Sequence, residues 1–403
     1  MRPQKKIKDK LQLEKIKLQA LLDASKLINR NASKDDLFGF FTRFLHQQLN
    51  IGKIQLYVVS EHWQQLPEYI HNTALKEQLA AIKEITVITE NNNPYFEGFD
   101  VIIPVYHKKV PLAYLLLGDF DGEKIELSPI IKHLPFIQTF TNIITVAIEN
   151  KRLYNESLKQ AALNKELELA GEMQKMLLPS SFPKNKNFEV SSLFVPHRSI
   201  GGDYYDVIIK KNNVVYFCIA DVSGKGIPAA LLMSNFQANF RALIKRKTPL
   251  HEIVKELNNL IIQTVKHEKF ITIFIGKINL NEKVLTYINC GHPPVVLICN
   301  QTIKYLDKGT VMLGVFDELP FLEVGKINLC KNDLLIAYTD GIIEQTNEQD
   351  KEYGIEGLTK TLSKLQNENA AHILNAIIQD LDDFKGDIPY NDDIALLAFS
   401  IKS

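Results

Sequence analysis

Asp203, Asp221, Asp340 and Asp392 with its neighbour Asp393 stand at one kind of place in the chain. Each marks the end of an apolar, strand-like run and sits beside glycine or another acid: GGD at 201–203, IADVSGKG from 219, YTDG from 338 and NDD at 391–393. Carboxylates gathered from separate strand ends repel one another. A hard divalent cation such as Mg2+ or Mn2+, which takes oxygen ligands in octahedral geometry, offsets that repulsion. Two such ions a few ångströms apart can share a water, lower its pKa and aim it at phosphorus. Adjacent glycines let the backbone turn sharply and approach the ions closely. One Asp-Gly pair alone is more often a turn than a ligand. The recurrence at four strand ends points to a site.

The sequence around these acids carries a resemblance. In order along the chain come ELAGEMQKMLLPSSFP, IGGDYYDV, IADVSGKGIPAALLMS, FITIFIGKIN, YINCGHPPVVLI, LLIAYTDGIIEQTN and NDDIALLAF. Together they resemble the metal-dependent protein phosphatase family (PPM), in its bacterial SpoIIE/RsbU-like branch. The resemblance implies an αββα sandwich of two antiparallel sheets with two Mn2+ or Mg2+ ions at one end. Asp203 would ligate one ion, Asp221 would bridge both and the carbonyl of Val222 would complete a coordination shell. Asp340 and Asp392 would supply the other carboxylates. Asp393 is an optional further ligand, because the first acid of the family's pair is the one that usually binds. Asp206 is expected to be structural, as are Gly224, Gly226, Pro228 and His292. Glu344 would orient its loop, and Arg198 is a candidate phosphate contact. Ala395 stands where many relatives carry Thr, outside the metal shell.

The implied activity is serine/threonine phosphoprotein hydrolysis by direct attack of a metal-activated water, with no phosphoenzyme. The implied substrate is a phosphorylated STAS-domain anti-sigma-factor antagonist. Two rival readings exist. GGDYYD also resembles the opening of a diguanylate cyclase signature, GG(D/E)EF, but Tyr204 stands where a cyclase needs an acid, and a cyclase has no use for Asp221, Asp340 or Asp392. The other rival is a phosphatase-shaped scaffold that binds a phosphoprotein or anti-sigma partner without turnover.

Elements must position these acids, and the pattern supplies them. From 184 onward, strand-like runs are interrupted by paired helical runs such as PAALLMSNFQANFRALIKR and LHEIVKELNNLIIQTVKH, which predicts an α+β fold. Residues 15–150 form another mixed unit. LLDASKLINR and DDLFGFFTRFLHQQL carry apolar residues at helical spacing, and Ser33 or Asp35 is placed to cap the second helix. KIQLYVVS, ITVIT, DVIIPVYHKK and PLAYLLLGDF then read as an antiparallel sheet, closed by a helix from 134. VIIPVYHKKVPLAYLLLGDF and TVAIENKRLY make this unit resemble a GAF domain, a small-ligand and dimerisation module. His62, His71, His107 and His133 are isolated, so the ligand is unknown.

Between the units, 136–178 has no proline and no glycine before Gly171, and predicts one long helix. Phe140, Ile144, Ala147, Lys151, Tyr154, Leu158 and Ala161 fall at alternating four- and three-residue steps, which reads as the coiled-coil seam of a parallel dimeric linker or as the face of an amphipathic helix packed on its own domain. The phase slips before Leu163, Leu167, Ala170, Gln174 and Leu177, which changes the winding of a supercoil. The expected boundaries are a basic lead at 1–14, a GAF-like unit at 15–150, a linker at 151–180 and the phosphatase domain at 181–403.

The chain has 403 residues, long enough for two or three domains. Its 47 basic and 47 acidic residues balance, which argues against a nucleic-acid or anionic-membrane partner. No run reaches the ~18 apolar residues of a spanning helix, and no signal-peptide core precedes the first domain. Cys218, Cys290, Cys299 and Cys330 lack a CxxC pair. That spacing favours reduced thiols in the cytoplasm over a zinc site or disulfide frame.

Overall fold

The computed structural model describes residues 2–59, 64–66, 73–88, 94–107, 110–119, 129–183, 185–197, 199–246, 248–299, 302–365 and 368–402. His62, His71 and Arg198 lie outside them. The chain divides into two compact units, Met1–Ala162 and Leu163–Ser403. Among the described residues no helix is long and apolar enough to cross a membrane.

The first unit begins with α1 (Arg2–Asn29), α2 (Lys34–Leu49), β1 (Ile51–Val58) and β2 (Gln64–Leu66), followed by α3 (Thr73–Ala81), β3 (Thr86–Val87), β4 (Val101–His107) and β5 (Val110–Asp119). The strands form an antiparallel sheet in the order β2-β1-β5-β4-β3, as the alternating pattern predicts. Ser33 caps α2 in a reciprocal capping box with Asp36. A long helix, α4 (Pro129–Lys175), then runs across the boundary between the units. It starts earlier than expected and contains Pro135 in its second turn. Proline removes one helical N–H there. Ile130, Ile137 and Phe140, all fully buried, hold the helix on both sides of the proline in the core.

The expected coiled-coil seam does not lie on one surface. Phe140, Ile144 and Ala147 pack into the first unit's own core, where the Phe140 ring sits 5.2 Å from that of Phe41. The Lys151 ammonium donates to the carbonyls of Asn31 and Ala32. Aromatic residues on α2 give this stretch a partner within the same chain. Beyond it Tyr154, Leu158, Leu163 and Leu169 are exposed.

The second unit contains β6 (Phe188–Val195), β7 (Tyr204–Lys210), β8 (Val214–Val222), α5 (Ile227–Lys245), α6 (Leu250–Val265), β9 (Ile271–Asn279) and β10 (Val284–Cys290). It continues with β11 (Val295–Cys299), β12 (Thr302–Leu306), β13 (Gly309–Thr310), β14 (Gly325–Asn328) and β15 (Leu334–Tyr338). α7 (Asp340–Ile343), α8 (Gly354–Lys364), α9 (Ala370–Lys385) and β16 (Ile394–Ile401) complete it. One sheet runs β13-β10-β9-β8-β7 with β14 also on β10, and the other runs β12-β11-β15-β16-β6.

Period-two alternation stacks these sheets between helix layers. On β15, Leu334, Ile336 and Tyr338 face Leu358, Leu362, Ile373 and Ile377 of α8 and α9, while Leu335 and Ala337 join the cluster shared with the other sheet and with α5 and α6. Phe217 and Phe399 meet across the sandwich with ring centroids 4.6 Å apart. Gly276, opposite Phe217 in the β8–β9 ladder, makes room for that ring: a Cβ there would lie 2.2 Å from it. The result is the four-layer αββα order. β7 is not among the strands expected from pattern, because Asp206 interrupts its apolar run.

Candidate metal centre

Register brings the acids to one end of the sandwich. In the antiparallel β7–β8 pair Tyr204 faces Ala220, so the next step sets Asp203 beside Asp221. In the β15–β16 pair Tyr338 faces Leu396, and the Thr339 N–H donates to the Ala395 carbonyl. Asp340 therefore follows one strand where Asp392 and Asp393 precede the other.

Asp203 is buried, and its Oδ2 accepts a 2.7 Å hydrogen bond from Thr339 Oγ1, which itself accepts from the Ala395 N–H. Thr339 thus fixes the Asp203 carboxyl to the opposite sheet. Asp203 also shares a hydrogen bond with Asp221. Burial, and then the charges of Asp221 and Asp393, hold the Asp203 carboxyl well above the usual range. Burial and the neighbouring Asp340 push Asp221 up to about 7. Asp340 is raised by burial and by Asp392. Lys225 reaches Asp392 at 2.6 Å and the Asn391 carbonyl at 2.9 Å.

Asp393 lies close enough for its charge to act on Asp203 and Asp221, and it also anchors backbone. Its two oxygens accept the N–H groups of His197 and Gly202 at 2.8 and 2.9 Å. A Cβ on Gly201 would strike that carboxylate at 2.0 Å, and one on Gly202 would lie 2.8 Å from the Val222 carbonyl. Both glycines are therefore needed for close approach, one to Asp393 and one to the Val222 carbonyl and Asp221. The other side of this loop is held by α4. The Gln174 side-chain amide donates to the Gly201 carbonyl at 2.7 Å and accepts from its N–H at 3.1 Å. A Cβ on Gly171 would lie 1.8 Å from the Ser199 carbonyl oxygen.

Asp206 lies on the helix-facing side of β7. It takes two hydrogen bonds from Arg241, at 2.6 and 3.1 Å, and one from the Tyr204 hydroxyl at 2.7 Å. Its expected structural role holds. Arg241→Ala is expected to lower stability by about 2 kcal/mol, below the usual cost of breaking a buried pair because Tyr204 and the Val207 N–H still serve the carboxylate. The check is a lower urea midpoint at unchanged m-value.

His292 is also structural. Its Nε2 donates to the Tyr338 carbonyl at 3.1 Å, which leaves Nδ1 to accept from Thr272 Oγ1 at 2.9 Å. Burial pushes its pKa down to about 3, so the ring is neutral. Thr272 pairs with Asp221 across the β8–β9 ladder, so His292 joins the two sheets beside the acids. The Glu344 N–H donates to the Asp340 carbonyl, which closes the short α7 turn.

Sequence reasoning passed over Thr339, Lys225, Gly171 and the role of Gln174. Thr before Asp340 and Lys between Gly224 and Gly226 were the only available signals. Gln174 reads as a seam position until the fold puts Gly201 beside it.

The donor set fits hard divalent cations. It consists of oxygens, it is mostly buried, and Lys225 is the only basic side chain ion-paired to these acids among the described residues. A cation there favours the ionised forms that burial and crowding disfavour. Among the described residues no three of these acids bring an oxygen each within 4.8 Å of one another, so the ring is wider than a single three-carboxylate cage.

Metal-free protein is expected to lose stability as pH rises from about 5 to 7. Asp203 and Asp221 have folded pKa values above their ordinary 3.8, so the folded state holds the extra protons, and each costs about 1.4 kcal/mol per pH unit as it leaves. His292, lowered from 6.5, works in the opposite direction below that value, one group against two. Thermal melts in chelator should fall in midpoint across this range and rise on adding Mn2+ or Mg2+ at pH 7. A midpoint that rises with pH in chelator would count against the crowding of these acids.

Residues 211–402 match the family model described as Stage II sporulation protein E (SpoIIE). The match includes Asp221, Val222, Asp340, Asp392 and Asp393, and begins after Asp203. Phosphoserine phosphatase RsbU of Bacillus subtilis is 30% identical over 188 residues, 46% of this chain and 55% of that protein. Protein IcfG of a Synechocystis species is 27% identical over 278 residues, 62% of this chain and 43% of that protein. The chain spans about half the length of the curated relatives it matches. The SiaA-PP2C domain of Pseudomonas aeruginosa superposes with a TM-score of 0.55 at 18% identity, covering 60% of this chain and 99% of that one, a likeness of fold. The sequence-based resemblance of the C-terminal unit is borne out.

Proposed function

We propose, from the premise that residues 211–402 are a SpoIIE-type domain, that this chain is a metal-dependent phosphatase of phosphoserine and phosphothreonine in proteins. The observation that carries the reading is the convergence of Asp203, Asp221, Asp340 and Asp392 from two antiparallel pairs onto one end of the sandwich. Asp203, Asp221, the Val222 carbonyl, Asp340 and Asp392 would hold two Mn2+ or Mg2+ ions. When bound, the ions supply neutralisation of phosphoryl oxygens and acidification of water.

The chain's own residues keep that ligand set in place. Thr339 orients Asp203, Lys225 tethers Asp392, and Asp393 holds the backbone of His197 and Gly202 so that Asp203 faces the others. Asp393 thus serves as a positioning residue, with both oxygens committed to backbone. No thiol nucleophile is at hand, since Cys218 and Cys290 are buried with their thiols pushed up.

The substrate proposed is a phosphorylated STAS-domain protein in the cytoplasm. The first unit is read as a GAF-like sensor whose ligand is unknown. The exposed apolar face of α4 from Tyr154 onward is read as the contact of a homodimer. The test measures phosphate release from a phosphoserine protein with Mn2+ and with chelator, in the native chain and in Asp221→Asn. Binding without turnover at millimolar Mn2+ would leave the scaffold reading instead.

A further inference from the structure

We propose that Cys299, Cys330 and Asp333 form a second metal site, for a thiophilic divalent ion of the Zn2+ class, at the opposite end of β15 from the acids. The spacing of the cysteines in sequence argues against such a site, but the fold removes that objection. In the β11–β15 ladder Val296 faces Ile336 and Ile298 faces Leu334, so the next step sets Cys299 beside Asp333. Cys330 and Asp333 are the ends of a tight turn. The Asp333 N–H donates to the Cys330 carbonyl, Asp333 Oδ2 accepts from the Cys330 N–H at 2.8 Å, and Asn332 takes a φ of +69°. This C-x-x-D turn has the ligand spacing of zinc knuckles, with a carboxylate in place of the second thiol.

One sulfur from each cysteine and one Asp333 oxygen lie within 4.8 Å of one another. Tetrahedral Zn2+, with Zn–S near 2.3 Å, needs sulfurs about 3.8 Å apart. The remaining closure is at most about 1 Å, within reach of a side-chain rotation, and Cys330 is exposed and free to make it. Asp333 is 1% exposed, and no Lys, Arg or His forms an ion pair with it among the described residues. A buried carboxylate of that kind is stabilised by a cation. Asp333 Oδ2 takes the Cys330 N–H and the Cys299 thiol also donates to this carboxylate, so the ion would take the place of the thiol proton between Cys299 and Asp333. Two thiolates and a carboxylate select Zn2+ over Mg2+ or Mn2+, the reverse of the all-oxygen acid ring. Binding releases the thiol protons to solvent, so affinity rises with pH. The ion would clip the end of β11 to the turn that starts β15. The fourth coordination position is left to water.

The test uses the full chain, reduced with a phosphine and titrated with Co2+. Thiolate coordination gives a charge-transfer absorption that a carboxylate site does not give. One equivalent should saturate this band, and Zn2+ should abolish it by displacement. Cys299→Ser and Cys330→Ser should each remove most of the band, Asp333→Asn should weaken binding by at least about tenfold, and Asp221→Asn should leave it unchanged. Cys330→Ser, at an exposed position, guards against loss by misfolding. The proposal is overturned by no band in the native chain at micromolar Co2+. It is overturned equally by a band that survives in both serine variants. None of these outcomes bears on phosphatase activity.

Discussion

Asp221→Asn is expected to reduce metal-dependent release of phosphate from a phosphoserine protein by roughly 10^3-fold, near 4 kcal/mol of activation free energy. Asp221 sits between Asp203 across one ladder and Asp340 from the other sheet, and it is the group whose acidity responds to both sides of the ring. An amide retains the shape and loses the charge. The same change should raise the melting temperature of metal-free protein at pH 7, because one of the mutually repelling carboxylates is gone, and should shrink the gain in stability on adding Mn2+. The opposite signs for activity and stability separate loss of chemistry from loss of fold. A variant that retains more than about a tenth of native turnover would remove Asp221 from the centre of the mechanism.

Gly171→Ala is expected to lower turnover by about 10–100-fold through displacement of the loop that carries Asp203. The added Cβ cannot coexist with the Ser199 carbonyl 1.8 Å away, so the end of α4 must lift from the loop. That breaks the paired amide contact between Gln174 and Gly201. Half-maximal activity should then require more Mn2+, since the ligand set is less well positioned, and melting should still be cooperative. Gln174→Ala, which removes the hydrogen bonds without a clash, should show a milder effect in the same direction. Native turnover and native metal dependence in Gly171→Ala would show that helix seating does not control the site.

The acids were legible in sequence because strand-terminal carboxylates beside glycine form a local pattern. The layers were legible too, since period-two runs alternating with helical runs specify sheets with helices upon them. What could not be read depends on register between distant segments. Thr339 reveals its role only once Asp203 lies 2.7 Å away, from a residue 136 positions earlier. Asp393 looks like a ligand by its neighbour, and its hold on the backbone shows only when His197 and Gly202 donate to it from 196 and 191 positions earlier. The long helix was legible as a helix. That its 140–147 stretch belongs to a core depends on where Phe41 and Phe44 fall. Cys299 and Cys330 look unrelated until the β11–β15 ladder brings their strand ends together.

His292 is an electrically silent rivet. Both ring nitrogens are engaged, one on each sheet, and deep burial denies the ring its proton through the whole range in which the carboxylates titrate. A lysine or a protonated histidine at that junction would hold the sheets equally well. It would also place a permanent positive charge beside Asp221 and Asp340, quench their demand for a counterion and compete with whatever cation the ring receives. By fastening the sandwich with a neutral group, the protein joins its two halves and leaves the electrostatic deficit of the acids to be filled from outside.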